Sequence, residues 1–294
     1  MNIKFISRNE CISCKSKDIK ILKSELFTSE IIFNYLQLFY GDNVKDLNLE
    51  NQKLEYAFCL NCSMVWQKNI LNEEGLEYLY EILISPESSL NKRESGSYNH
   101  FSSYIESAKR VKYFFPYRKP RDIKVLDFGM GWGHYCIASK ALGHDVYGCE
   151  LSDVRIKFAQ INGVKIIKNI LEIEDNYFDF INTEQVFEHL ADPSIIMKEF
   201  QRILKNDGII NISVPNSVKS IKDLNSSHWK PTNNSLQPLQ HINSFTSQTL
   251  KNFALNNNFV NITPELNKQI SIKTFLKEKI KSYISTSLYF KKNI

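Results

Sequence analysis

The segment Ile123–Glu150, IKVLDFGMGWGHYCIASKALGHDVYGCE, restricts the fold more than any other part of the chain. Ile123, Val125 and Leu126 form a short apolar run that ends in Asp127. Gly129, Gly131 and Gly133 then punctuate a turn, a helix-like stretch follows, and a second short strand closes on Glu150. This is the pattern of one βαβ half of a nucleotide-binding sheet. A chain that leaves a strand, turns sharply and brings bare backbone against a ligand needs glycine there, because a Cβ would obstruct the approach. An acid about twenty residues on, at the tip of the next strand, can accept hydrogen bonds from both ribose hydroxyls, and Glu150 lies at that distance. The spacing is GxGxG, with Trp132 and His134 filling the helix entry, whereas a pyrophosphate site places its third glycine three residues after the second. A nucleoside ligand without phosphates fits better. The same residues also read as an unliganded strand-to-helix turn.

Strand and helix signals go on alternating downstream. Val164–Ile167 and Phe178–Asn182 read as strands, and Asp192-Pro193 opens a helix whose apolar residues are Ile195, Ile196, Phe200, Ile203 and Leu204. Asn206-Asp207-Gly208 stops it before a strand at Ile209–Val214. Such alternation predicts a Rossmann-like α/β fold: a mostly parallel sheet with helices on both faces and the ligand at the carboxyl ends of the strands.

Asp127-Phe128-Gly129-Met130-Gly131-Trp132-Gly133 together with Glu150 resembles the cofactor motif of class I S-adenosylmethionine-dependent methyltransferases, over about Ser97 to Thr274. The resemblance implies seven strands, the last antiparallel, with Asn258–Ile262 and Gln269–Thr274 as the closing hairpin after a helix at Ser247–Leu255. It implies that Asp127, Gly129, Gly131 and Gly133 border the methionine part of S-adenosylmethionine and that Glu150 holds the ribose. Asn169 or the amide of Ile170 falls at the adenine position, where the family often has Asp.

Thr183-Glu184-Gln185-Val186-Phe187-Glu188-His189-Leu190 resembles the Glu-Val-Leu-Glu-His stretch that borders the methyl-transfer site in many small-molecule methyltransferases. Relatives that methylate RNA 3′ ends bind a divalent metal through both acids and the histidine, and Gln185 in place of the first acid argues against that role here. Methyl transfer asks the protein to align a nucleophile and, where needed, to remove a proton. A histidine near neutral pKa suits that task. His189 is the first candidate base and His241 the second, with Glu188 beside them; the alternative is that His189 only closes a turn through a backbone hydrogen bond. The polar stretch Pro215–Phe245 offers Asn216, His228 and Trp229 as substrate candidates, since loops at this edge set specificity, although Trp229 equally suits a satellite core.

Cys11-Ile12-Ser13-Cys14 and Cys59-Leu60-Asn61-Cys62 are paired CxxC knuckles whose four thiolates can close a tetrahedral structural Zn²⁺ site. The 44 residues between the pairs exceed the usual ribbon gap of roughly 15–20, and an amphipathic insertion at Ser24–Tyr40 accounts for the excess. Redox thiols and disulfides are the competing readings. Cys136 and Cys149 read as buried hydrophobes. A cysteine-rich module before the catalytic domain resembles that of sugar methyltransferases, and also that of certain ribosomal-RNA methyltransferases.

Lys and Arg number 37 against 32 Asp and Glu, a net charge of +5, which is a mild excess for a nucleic-acid binder. From Asn261 onward there are seven lysines and two glutamates, and Phe275, Leu276, Ile280, Ile284 and Leu288 suit one apolar face of a basic helix. Such a helix either packs on its own domain or touches an anionic membrane surface. No run approaches the roughly eighteen apolar residues of a membrane span, and Met1–Glu10 lacks the apolar centre of a signal peptide, so the cytoplasm is the expected address.

The expected organisation is a zinc-ribbon-like module over 1–71, a helical linker or lid over 72–118 with Tyr98 and Tyr104 as lid residues, a methyltransferase domain over 119–274 and a basic helix over 275–294. The expected activity is methyl transfer to a small molecule, a sugar in nucleotide-sugar or cell-surface polysaccharide biosynthesis. An RNA methyltransferase and a non-catalytic binding protein of the same fold are the alternatives.

Overall fold

A computed structural model of the chain describes residues 2–84, 89–91, 97–264 and 284–293. In chain order its strands are β1 (Phe5–Ser7), β2 (Ile19–Leu26), β3 (Lys53–Cys59), β4 (Val65–Gln67), β5 (Asn69–Leu71), β6 (Lys124–Phe128), β7 (Asp145–Cys149), β8 (Lys165–Ile167), β9 (Phe178–Glu184), β10 (Leu204–Pro215), β11 (Asn243–Ser244), β12 (Phe259–Asn261) and β13 (Ser285–Lys292). They belong to two compact units. One comprises Met1–Ser85, Phe187–Ser194 and Pro215–Asn256, the other Pro86–Val186, Ile195–Val214 and Asn257–Ile294.

The second unit is built on a seven-stranded sheet in the order β12-β13-β10-β9-β6-β7-β8. The ladders from β10 through β8 are parallel, and β12 and β13 pair antiparallel. Along β6, Val125 and Leu126 are both fully buried although they face opposite sides. That is expected of a parallel sheet covered on both faces. Val125 joins a core with Val111, Tyr135, Cys136, Val146 and Phe180, while Phe128 meets Phe200 of the helix Pro193–Ile203 edge to face at 5.2 Å. The chain runs outward from β6 to β7 and β8 and then returns to β9 on the other side of β6. This creates a topological switch point between β6 and β9, where open α/β sheets bind ligands.

The end of the sheet differs from expectation. Residues 285–292, assigned from the sequence to a basic helix over 275–294, form β13, whose Leu288, Tyr289 and Phe290 are buried. Pairing with β12, Phe259↔Lys292 to Asn261↔Phe290, outweighs the helical spacing of Ile284 and Leu288. The expected strand Gln269–Thr274 and the helix residues 275–283 lie outside the described residues.

In the first unit, β2, β3, β4 and β11 form an antiparallel sheet in the order β11-β4-β3-β2, and β1 pairs with β5. The stretch read as one amphipathic insertion divides into the end of β2 and the helix Glu30–Tyr40. That helix buries Ile32, Leu36 and Tyr40, four residues apart on one face, with Leu54, Tyr56, Val65 and Leu79. The crossover Pro215–Asn256 belongs here because β11 pairs with β4, Asn243↔Trp66 and Ser244↔Val65. No helix among the described residues is long and apolar enough to cross a membrane.

Candidate active site

The glycine turn follows β6 at the switch point. Gly129 and Gly131 have φ of +70° and +54°, in the left-handed region that favours glycine. Their surroundings differ. A Cβ on Gly129 would lie 2.4 Å from Val186 Cγ2, so this glycine exists to let the chain after β9 pack on the turn. A Cβ on Gly131 would meet nothing within 4 Å, so its bare backbone faces open space, as a ligand cradle requires. Gly131 N–H donates to Glu150 Oε2 at 2.9 Å, and the amides of Leu151 and Ser152 donate to Oε1 at 2.9 and 3.2 Å. Three amides thus orient the carboxylate against the turn. A carboxylate has about four acceptor positions, so one position, on Oε2, remains for a ribose hydroxyl. These features fit an adenosyl cofactor.

Asp127 is buried rather than displayed. Asn182 Nδ2 donates to its Oδ1 at 2.8 Å, Asn211 Nδ2 donates to Asn182 Oδ1 at 2.8 Å, and Ser287 Oγ donates to Asn211 Oδ1 at 2.9 Å. The four residues sit on the adjacent strands β13, β10, β9 and β6. Burial pushes the Asp127 carboxyl up to about 7, against the opposing pull of the Asn182 hydrogen bond. Asp127 therefore ties β6 to β9 through Asn182 and to the helix after the turn through Cys136. Asn169 is exposed and caps the short turn Ile170–Glu172, accepting from Leu171 N–H at 3.0 Å, while Ile170 is buried. Tyr104 stacks on His134 with ring centroids 5.7 Å apart, and Cys136 and Cys149 are buried, the latter pair as the sequence predicts.

β9 ends at Glu184, after which Gln185 takes a left-handed φ of +58° and turns the chain. Gln185 Nε2 contacts Ser285 Oγ at 3.5 Å. In the other unit the two candidate bases are brought together, their rings 5.0 Å apart, although 52 positions separate them in sequence. His189 Nδ1 donates to Gln240 O at 2.9 Å and His241 Nδ1 donates to Asn234 O at 2.5 Å. A carbonyl only accepts, so each neutral ring carries its proton on Nδ1 and presents Nε2 as an acceptor. Tyr80 Oη lies 2.9 Å from His189 Nδ1, and Glu188 Oε1 lies 3.8 Å from His189 Nε2. Glu188, His189 and His241 each offer one ligating atom within 4.8 Å of the others. Tyr80 escaped the sequence reading because no motif marks it.

The near-neutral pKa that made histidine attractive does not survive folding. Burial, reinforced by His241, pushes His189 down to about 3, and burial pushes His241 down to about 4. Both are neutral acceptors at physiological pH. Of the crossover candidates, Trp229 is half-buried and packs edge to face on Tyr56 at 5.9 Å against the core of its unit, His228 is exposed, and Asn216 Oδ1 accepts from Val218 N–H.

The two CxxC pairs meet, with Cys11 Sγ 3.4 Å from Cys62 Sγ and Cys14 Sγ 3.5 Å from Cys59 Sγ. These separations exceed a disulfide bond of about 2.04 Å and suit four sulfurs about 2.3 Å from one zinc. The knuckles repeat each other. Lys15 N–H donates to Cys11 O and Ser63 N–H to Cys59 O, and Lys15 and Ser63 have φ of +59° and +62°. The knuckles differ in which amide reaches the first sulfur: Ser13 N–H, two residues on, points to Cys11 Sγ, and Cys62 N–H, three residues on, to Cys59 Sγ, both at 3.4 Å. Burial pushes the Cys11 thiol up and Cys62 to about 11. At Cys14 burial is outweighed by hydrogen bonds from the Ser16 backbone and the neighbouring thiols, and its pKa falls.

The profile of a methyltransferase domain family matches residues 98–263, more than half of the chain. Among curated proteins, a ubiquinone biosynthesis O-methyltransferase of Bartonella quintana is 27% identical over 104 residues, covering 32% of this chain and 42% of that protein. Its counterpart in Actinobacillus pleuropneumoniae is 32% identical over 107 residues, covering 32% and 46%. The matches span less than half the length of these relatives. Among solved structures, the plantazolicin methyltransferase BamL, determined with a triazolic desmethylPZN analog and SAH, superposes with a TM-score of 0.55 at 14% identity, covering 74% of this chain and 94% of that one. This likeness shows the fold. With the glycine turn, the strand-end acid and a family profile spanning the sheet all in agreement, the chain belongs to the class I S-adenosylmethionine-dependent methyltransferases.

Proposed function

We propose that this chain transfers a methyl group from S-adenosylmethionine to a small-molecule acceptor, a sugar in nucleotide-sugar or cell-surface polysaccharide biosynthesis. The observation that carries the reading is the open face of Gly131 beside the amide-anchored carboxylate of Glu150. When bound, the cofactor supplies an electrophilic methyl on a sulfonium. Glu150 takes a ribose hydroxyl, Gly129, Gly131 and Gly133 shape the turn beside the methionine portion, Asp127 ties β6 to β9 and to the helix after that turn, and Asn169 and Ile170 border the adenine. His189, five residues beyond the end of β9, accepts a hydrogen bond from the acceptor group at Nε2 and so orients it, Glu188 offsets the charge that develops, and the proton passes on to solvent because the buried imidazole, its pKa pushed down to about 3, does not retain it. His241 holds the neighbouring acceptor position. A structural Zn²⁺ binds Cys11, Cys14, Cys59 and Cys62.

A small-molecule acceptor is supported by the names of the relatives and by a net charge of only +5. The sugar is supported by the cysteine module, which resembles the one that precedes sugar methyltransferase domains. Incubation of the full chain with labelled cofactor and a panel of sugar nucleotides, lipid-linked glycans and RNA tests the reading. Label in a glycan fraction supports it. Label in RNA alone replaces it with the RNA alternative, and no calorimetric affinity for S-adenosylhomocysteine replaces it with a binding protein.

A further inference from the structure

The cysteine-bearing segment does more than bind a metal. β4 starts three residues after Cys62 and pairs with β11, so the knuckle is continuous with the strand that carries Asn243. Asn243 N–H donates to Glu188 O at 3.0 Å, and its Nδ2 donates to Phe187 O at 2.8 Å and Leu190 O at 2.7 Å. One side chain thus holds the backbone on both sides of His189. Gln67, fully buried at the end of β4, holds the backbone that leads into the other histidine: Nε2 donates to Gln237 O at 2.9 Å and His241 O at 3.1 Å, and Oε1 accepts from Leu239 N–H at 3.2 Å, while its own backbone N–H donates to Ile242 O at 2.9 Å.

Arg8, three residues before Cys11, ties these together. Its Nη2 donates to Gln67 O and Ile242 O, both at 2.7 Å, and its Nη1 donates to Asn243 Oδ1 at 2.8 Å and Ala191 O at 3.1 Å. A planar fork of five donors can serve acceptors from three separate segments at once, and the compact ammonium of lysine cannot. Of the carbonyls that dictate the tautomers, Gln240 O lies inside the stretch that Gln67 and Arg8 fix, and Asn234 O is tied to the start of that stretch by the Gln237 amide at 3.1 Å.

We propose that Arg8 and Gln67 are positioning residues through which the N-terminal cysteine segment sets the orientation and the Nδ1–H tautomer of His189 and His241. The inference rests on the reading of His189 as the group that meets the acceptor. Its consequence is that the cysteine segment cannot be exchanged as an accessory module without disturbing the two histidines of its own unit.

The test is long-range ¹H–¹⁵N correlation of the histidine rings in the full chain purified with its metal, for wild type, Arg8→Lys, Gln67→Met and, as control, Arg121→Lys. Wild type and control are expected to show protonated Nδ1 and bare Nε2 at both histidines. In Arg8→Lys and Gln67→Met the two ring-nitrogen resonances of at least one of them should converge, the sign of mixed tautomers, while the amide spectrum stays dispersed. Affinity for S-adenosylhomocysteine should stay within twofold. Unchanged ring patterns in both folded variants, protonated Nε2 in wild type, or loss of the fold in both variants would overturn the proposal, the last by reducing the two residues to plain stabilisers. Absence of S-adenosylhomocysteine binding in wild type would count against the cofactor reading and leave the tautomer comparison intact.

Discussion

The amide of Gly131 donates to Oε2 of Glu150 across a gap of 19 residues, at 2.9 Å. The bond couples the turn after β6 to the tip of β7, so the acid is aimed before any ligand arrives. Glu150→Gln keeps the shape but replaces one acceptor oxygen with a donor that opposes the donating amides and the ribose hydroxyl. Affinity for S-adenosylhomocysteine should fall by about 10- to 100-fold, in the range of hydrogen bonds to charged groups. Calorimetry with the melting temperature as a fold control checks this, and an unchanged Kd would remove Glu150 from the site.

The two glycines of the turn should respond differently. Gly129→Ala drives a Cβ into Val186 as well as straining a positive φ, so it should cost about 2–4 kcal/mol in urea denaturation. Val186→Ala should recover part of that loss. Gly131→Ala has room for its methyl, should cost about 1–2 kcal/mol, and should lose cofactor affinity out of proportion to stability. Equal behaviour of the two variants would contradict the assignment of an open ligand face to Gly131.

The depressed histidines predict acid sensitivity. Their folded pKa values, about 3 and 4, lie below the ordinary 6.5, so the unfolded chain takes up protons first as the pH falls. Their contribution is complete above about pH 6.5 and is lost progressively toward pH 4. A His189→Asn, His241→Asn double variant should lose less stability than wild type between pH 7 and 4.5, by on the order of 1–3 kcal/mol. Urea midpoints across that range would show it.

Asp127 carries the opposite sign. Its folded pKa of about 7 lies above the ordinary 3.8, so the folded chain holds a proton that the unfolded chain has released. The contribution is largest below about pH 4 and fades as the pH rises to 7. Asp127→Asn, which retains the acceptor for Asn182, should gain on wild type over that interval by on the order of 1–4 kcal/mol. A constant difference between the two proteins from pH 4 to 7 would refute the protonated buried carboxyl.

Metal analysis should return one zinc per chain. Cys14→Ser should lower that content and the melting temperature together, because an incomplete thiolate set leaves the Cys11 and Cys62 sulfurs 3.4 Å apart with a weakened metal site between them. Zinc-free protein with wild-type stability would exclude the structural metal.

The sequence alone determined whatever depends on neighbours along the chain. The glycine turn, the acid at the tip of β7, the strand and helix alternation and the two CxxC knuckles are local patterns, each written within about thirty residues by sterics and periodicity. Tertiary structure decided what depends on contacts between distant segments. Ser285–Lys292 carries a helical spacing of apolar residues yet becomes a strand, because β12 offers it a ladder of backbone partners. Asp127 looks like a ligand contact in the motif, but its oxygens answer to Asn182 of β9 and to Cys136 of the helix His134–Ala141. Tyr80, Arg8 and Gln67 carry no motif, and His189 meets His241 where Asn243 of β11 bonds the backbone of Phe187, Glu188 and Leu190. Burial then moved both imidazoles away from the pKa that a sequence assigns them, since desolvation belongs to the folded environment and not to the residue.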